Sequence, residues 1–129
     1  MSNRVICIID DDKIYQFASS KLLKKYHSDI DVICFDDGMN GLDFLRENAS
    51  NLANIPDVLL LDINMPVIDG WTFLDILMKE IPAVTEKMRI YIVSSSIDTR
   101  DLEKVKEYDI VKEYLVKPLN SDDYNGLFD

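Results

Sequence analysis

Three observations predict that this chain folds as an α/β domain around a parallel sheet. Five short apolar runs alternate with amphipathic, helix-like segments: Arg4 to Ile9, Asp31 to Phe35, Val58 to Leu61, Arg89 to Val93 and Glu113 to Val116. Such alternation implies right-handed βαβ crossovers, with helices on both faces of the sheet. Val58-Leu59-Leu60-Leu61 is apolar at every position, not every second one, and lies between Pro56 and Pro66. That pattern belongs to a strand buried on both sides. Finally, the runs stop on reactive polar residues, and in an open α/β sheet the ligand crevice lies beyond the carboxyl ends of the strands.

The elements follow in order. The first strand stops on Asp10-Asp11-Asp12, with Asp12 placed to cap the next helix. Lys13 to Tyr26 carries Ile14, Phe17, Ala18 and Leu22 at helical spacing, the face expected to turn inward, with Lys21, Lys24 and Lys25 outside. The second strand closes on Asp36-Asp37-Gly38, and a helix from about Met39 to Asn48 turns Leu42, Leu45 and Ala49 inward. A polar connection, Ser50 to Pro56, leads to the central strand, which ends on Asp62. Aspartate is a poor strand residue and is seldom buried, so its place there calls for a reason. After the turn Asn64 to Gly70, Trp71 to Lys79 forms the third helix and ends before Pro82, with Trp71 on its apolar stripe. The fourth strand stops on Ser94-Ser95-Ser96. A charged helix spans Asp98 to Tyr108, with Leu102 and Val105 inward and Glu103, Lys104, Lys106 and Glu107 solvated. The fifth strand stops on Lys117-Pro118, and Asn120 to Phe128 allows a short last helix. The expected architecture is a flavodoxin-like doubly wound sandwich with strand order 2-1-3-4-5 and about five helices. The order is the commonest five-strand choice and is not fixed by spacing.

Composition narrows the function. A chain of 129 residues, 47% apolar and 29% charged, is expected to be one soluble domain. No stretch approaches the roughly 20 apolar residues of a membrane span. Residues Met1 to Asp10 lack a basic start and a long apolar run, so the expected location is cytoplasmic. The net charge of −10 and the lack of a basic cluster beyond Lys24-Lys25 argue against nucleic-acid binding. Cys7 and Cys34 lack CxxC spacing and are expected as reduced core residues. His27, the single histidine, is expected at a helix end or in solvent, which leaves no basis for a histidine metal cluster or a Ser–His–Asp triad.

Asp10, Asp11 and Asp12, Asp62, Ser94 and Lys117 end four of the five strands, so in a parallel sheet they converge on one edge. Crowded carboxylates raise one another's pKa unless a cation intervenes, and an all-oxygen site suits Mg²⁺. A carboxylate can attack phosphorus to give an aspartyl phosphate, with Mg²⁺, a lysine and a hydroxyl on the phosphoryl oxygens. Each residue alone has an ordinary structural explanation: a cap for Asp12, a turn for Ser94, a surface cation for Lys117. Four together on one edge do not.

With Ile9-Asp10-Asp11-Asp12, Leu60-Leu61-Asp62-Ile63-Asn64-Met65-Pro66 followed by Gly70, Val93-Ser94 and Tyr114-Leu115-Val116-Lys117-Pro118, the chain resembles the receiver domain of two-component response regulators. The resemblance runs from Val5 to about Tyr124 and includes the chemotaxis-type single-domain regulators. It implies that Asp62 is the phosphoacceptor, that Asp11 binds Mg²⁺ directly and Asp10 through water, and that Asp62 and the Asn64 backbone carbonyl complete the metal site. It further implies that Ser94 and Lys117 hold the phosphoryl group, that Tyr114 is the aromatic switch, that Asn64 and Ser96 tune dephosphorylation, and that Lys117-Pro118 is a cis peptide. The implied partners are a histidine kinase or histidine phosphotransfer protein and an unknown downstream protein. The implied activity is self-modification, not enzymatic turnover. Residues 1–129 are expected to form a single receiver domain without an output domain, as a monomer or weak dimer. Ser95 stands where the family usually has Ala or Gly, the Ala-Gly pair common before the fifth strand is absent, and the last helix, part of the usual dimer surface, is short.

Three other readings are weaker. A haloacid-dehalogenase-type phosphohydrolase would use Asp10-x-Asp12, but Ile14 stands where Thr or Val is expected, the chain is short, and Asp62 has no part. An FMN-binding protein would need a Ser/Thr-rich phosphate loop after the first strand. A degenerate receiver would lack some of the site residues.

Overall fold

The computed structural model describes residues 3–129. Its elements are β1 (Arg4–Ile9), α1 (Lys13–Tyr26), β2 (Ile30–Phe35), α2 (Gly38–Asn48), β3 (Val58–Leu61), α3 (Gly70–Glu80), α4 (Pro82–Lys87), β4 (Arg89–Ser94), α5 (Thr99–Lys104), β5 (Val111–Val116) and α6 (Ser121–Asn125). All strand pairings are parallel, as the alternating pattern predicts, and the order is β2-β1-β3-β4-β5, the commonest five-strand choice. Among the described residues no helix is long and apolar enough to cross a membrane.

Successive strand residues point to opposite faces, and this two-residue period divides the core in two. Cys7 and Ile9, Leu59 and Leu61, and Ile90 and Ile92 join α2, α3 and α4 in one layer. Ile6 and Ile8, Val58 and Leu60, and Tyr91 and Val93 join α1 and α6 in the other. The central strand is buried along its length on both sides. On the first side α3 supplies Trp71, Phe73, Leu74 and Leu77, all buried, so the expected core place of Trp71 holds. Asp12, Asp37 and Asp69 cap α1, α2 and α3, each accepting a backbone N–H from the first turn.

Several expectations need correction. The apolar stripe of α1 faces outward: Ile14 is 82% exposed, Phe17 65%, and Ala18 and Leu22 are exposed as well. The residues turned inward are Gln16, Ser19 and Leu23. At 100° per residue these lie nearly opposite the predicted face, and the reason is the polar strand ends that α1 covers, described below. Pro82 does not simply stop α3. It opens α4, where its missing N–H and fixed φ suit the first turn, which makes six α-helices among the described residues. The helix expected over Asp98 to Tyr108 is shorter: α5 gives way to a 3₁₀ turn, Val105–Glu107. Leu102 and Val105 are half-buried, while Glu103, Lys104, Lys106 and Glu107 are exposed as expected. Tyr108 then turns into the core beside Trp71 and donates to Asp75 Oδ1 at 2.9 Å. Cys7 is a free buried thiol, but Cys34 is exposed, because β2 is an edge strand. His27 sits at the α1 C-cap, with Nε2 donating to the Tyr124 carbonyl at 2.7 Å. This bond and the stacking of Tyr26 on Tyr124 tie the short α6 to α1.

Candidate functional site

The parity that divides the core also builds the site. Ile8, Leu60 and Leu115 face α1, and two residues further on come Asp10, Asp62 and Lys117. The ladder continues past the strand ends, with Asp62 N–H donating to Ile9 O at 3.0 Å and Asp10 N–H to Phe35 O at 3.1 Å. Both carboxylates are therefore fixed at the sheet edge and shielded, Asp10 at 2% exposure and Asp62 at 8%. Gly70 explains why α3 can begin so close to them. A Cβ there would stand 2.6 Å from the Asp62 carbonyl oxygen, and the Gly70 N–H donates to Ile63 O at 2.8 Å.

Carboxylate oxygens of Asp10, Asp11 and Asp62 lie within 4.8 Å of one another. Lys117 Nζ donates to Asp10 Oδ2 at 2.7 Å and stands 3.9 Å from Asp62 Oδ1. Asp62 Oδ1 also accepts the Ile63 N–H at 2.9 Å. Burial first, then the neighbouring Asp10 charge, pushes the Asp62 carboxyl up to about 6; Lys117 and the Ile63 N–H pull the other way, and Asp11 adds to the rise. Three anionic oxygens this close carry more negative charge than one lysine offsets. A small hard cation with 2.0–2.1 Å bonds to oxygen fits both their spacing and their chemistry. Asp11 is exposed, which leaves the cluster open to solvent on one side.

Ser94 and Tyr114 have the opposite parity and lie toward the α3 side of the sheet. They meet at Ser96. The Ser96 N–H donates to the fully buried Ser94 Oγ at 3.1 Å, and the Tyr114 hydroxyl donates to the Ser96 carbonyl at 2.8 Å. The Ser96 hydroxyl is engaged with Asp101 Oδ2 at 2.9 Å and with the Asp98 N–H. Lys117 N–H donates to Ser94 O at 2.9 Å, and the Lys117-Pro118 peptide is cis. Asn64 is exposed just past the strand end. Asp12 stands apart: its Oδ1 accepts the Tyr15 N–H at 3.0 Å as the α1 cap, a structural task that leaves it poorly suited to be a general acid.

Two residues of α1 escaped the sequence reading. The Gln16 amide donates to Asp10 O at 2.7 Å, Phe35 O at 3.1 Å and Asp36 Oδ1 at 3.1 Å, tying the ends of β1 and β2 together behind Asp10. The Tyr15 ring lies against Lys117 Nζ, 4.1 Å from its centroid, and burial pushes the Tyr15 phenol up to about 12. The signal for both was position: they occupy the first turn after the Asp12 cap, directly above the acidic strand end.

Comparison with known proteins agrees with this geometry. The response regulator receiver domain family profile matches residues 6–126. A two-component response regulator from Cytophaga hutchinsonii superposes with a TM-score of 0.89 at 28% identity, over 99% of this chain and 96% of that one. A response regulator receiver protein from Dyadobacter fermentans superposes with a TM-score of 0.80 at 30% identity, over 92% and 90% of the two chains. Among curated sequences, a protein-glutamate methylesterase/protein-glutamine glutaminase from Lawsonia intracellularis is 37% identical over 78 residues. Those residues are 60% of this chain and 20% of the relative, so the likeness concerns a small part of that protein.

Proposed function

This chain belongs to the response regulator receiver domain family, and on that premise we propose that it accepts a phosphoryl group on Asp62 and signals by phosphorylation-dependent contact with another protein. The observation that carries this reading is the set of groups around Asp62: Asp10 and Asp11 within 4.8 Å, and Lys117 bridging Asp10 and Asp62.

The donor is a phosphohistidine on a histidine kinase or phosphotransfer protein. Asp62 Oδ1 is held by the Ile63 N–H, so Oδ2 is the oxygen free to attack. The Oδ2–P bond forms as the P–N bond breaks, and the electron pair stays with the departing imidazole nitrogen. Lys117 follows the phosphoryl oxygens, and its charge is worth most where water is excluded. Asp10, Asp11, Asp62 and the Asn64 carbonyl would hold Mg²⁺, which would supply positive charge to offset that of the transferring group. The new dianion draws the Ser94 hydroxyl toward it, away from the Ser96 N–H. Ser96 also receives the Tyr114 hydroxyl, so the same movement reaches the surface of α5 and β5 through Tyr114. Asn64 and Ser96 flank the path of the water that later hydrolyses the acyl phosphate. The protein turns over no free substrate and acts only on itself.

The test is intact mass after incubation with acetyl phosphate and Mg²⁺, beside Asp62→Asn and an EDTA control. One added phosphoryl group that requires both Asp62 and Mg²⁺ is expected. No adduct from acetyl phosphate or from a phosphohistidine donor overturns the reading.

A further inference from the structure

Lys117 has two neighbours of different kinds. On one side are Asp10 Oδ2 at 2.7 Å and Asp62 Oδ1 at 3.9 Å. On the other is the face of Tyr15, 4.1 Å from Nζ to the ring centroid. Tyr15 is half-buried against the core layer beneath α1, and the Lys117 side chain is 18% exposed, so the pair is largely out of water. We propose that Tyr15 is a positioning residue for phosphoryl transfer, its ring holding the Lys117 ammonium at the border of the acidic cluster by cation–π attraction. This inference rests on the reading of Asp62 as the phosphoacceptor.

The carboxylates alone are an unreliable hold. Any cation that enters among Asp10, Asp11 and Asp62 competes with Lys117 for Asp10 and repels the ammonium. A lysine side chain has four flexible carbons and, once released, many conformers open to it. The ring has no net charge for an entering cation to neutralise, and its quadrupole attraction grows when water is removed. Tyr15 therefore keeps Lys117 in reach of the phosphoryl oxygens when Asp10 no longer does. The ring also occupies the flank of the ammonium that water would otherwise fill, which leaves N–H donors for the incoming group. The aromatic face carries this role and the hydroxyl does not, so phenylalanine should replace tyrosine.

The experiment compares wild type with Tyr15→Phe, Tyr15→Leu and Tyr15→Met. Phosphorylation by acetyl phosphate with Mg²⁺ is followed by intact mass, and the Lys117 ε-methylene shift by NMR with and without Mg²⁺. Tyr15→Phe should match wild type in rate and retain the upfield ring-current shift of Lys117 in both conditions. The Leu and Met variants should lose that shift and phosphorylate roughly three- to tenfold more slowly. Wild-type rates in both aliphatic variants, or a Tyr15→Phe rate as slow as theirs, would overturn the role of the ring. Absence of the shift in wild type would overturn the contact itself. The shift is read without phosphorylation, so a wild type that takes no phosphoryl group refutes the phosphoacceptor reading separately from the contact.

Discussion

On one face of the sheet α3 buries Trp71, Phe73, Leu74 and Leu77, while on the other α1 buries Gln16, Ser19 and Leu23 and leaves Ile14 and Phe17 in solvent. Both helices follow an acidic strand end and begin on an aspartate cap. They differ in what lies beneath them. Strand parity directs Asp10, Asp62 and Lys117 toward α1, and charged groups at low exposure need polar partners. Gln16 supplies an amide behind Asp10, and Tyr15 a ring for Lys117. Among the described residues the α3 side holds no cluster of charged groups, only the Ser94 and Tyr114 hydroxyls, and beneath α3 hydrophobic periodicity decides which residues point inward. A helix stripe reads correctly where the sheet beneath it carries no charge, and fails where it carries the acidic cluster and its lysine.

The largest test of that contrast is Phe73→Ala. Phe73 is among the largest fully buried side chains, and its loss should cost about 3–5 kcal/mol in urea unfolding. A cost below about 1 kcal/mol would mean that the α3 layer is not the close-packed one. The second test moves to the edge where the two faces meet. The Asp62 carboxyl is raised from 3.8 to about 6 in the folded protein. Between those values the folded state binds more protons than the unfolded one, so stability falls as pH rises through that window and stays reduced above it. Asp62→Asn abolishes this loss. With EDTA present the variant should exceed wild type by about 2 kcal/mol at pH 7.5, and the gap should close near pH 4. A gap independent of pH would show that charge is not the source. Added Mg²⁺ should narrow the gap at pH 7.5 by stabilising only the wild-type cluster.

How much of this was legible in the sequence depended on which physics each residue answers to. The strands, their parallel direction and the convergence of Asp10, Asp62, Ser94 and Lys117 on one edge follow from alternation and from where apolar runs stop. Both are local features. The inward face of α1 was not legible, because Gln16 is turned in by partners distant in sequence: it reaches Phe35 and Asp36 on the neighbouring strand end. Helix α4 is hidden in the sequence because Pro82 marks a boundary as readily as the first helical turn that it in fact opens. Cys34 looked like core because its neighbours are apolar, but only the strand order shows that β2 has a free edge.

Gln16→Leu gives the third test. It keeps the side chain's bulk but removes a buried donor shared by three acceptors, including the Asp10 carbonyl. A loss of about 1–3 kcal/mol is expected, since those carbonyls stay shielded from water without a partner. Slower phosphorylation should accompany it, because Asp10 loses its backing. A neutral outcome would place the weight of the α1 interface on Leu23 and the apolar contacts around it, making the two faces alike.

The smallest effect is the most direct check. Phe17 lies on the α1 stripe that periodicity marks as core, yet it is exposed and touched by the Lys21 ammonium at 4.5 Å from its ring centroid. If the outward orientation is correct, Phe17→Ser leaves stability within about 0.5 kcal/mol of wild type, as surface substitutions do. If the stripe faces the sheet, the same change removes a buried aromatic and costs about 3 kcal/mol or more, like its α3 counterpart Phe73. Phe17 and Phe73 thus form a matched pair, the same residue type on helices that cover opposite faces, and the difference between their unfolding free energies measures how far α1 has given up packing to serve the site.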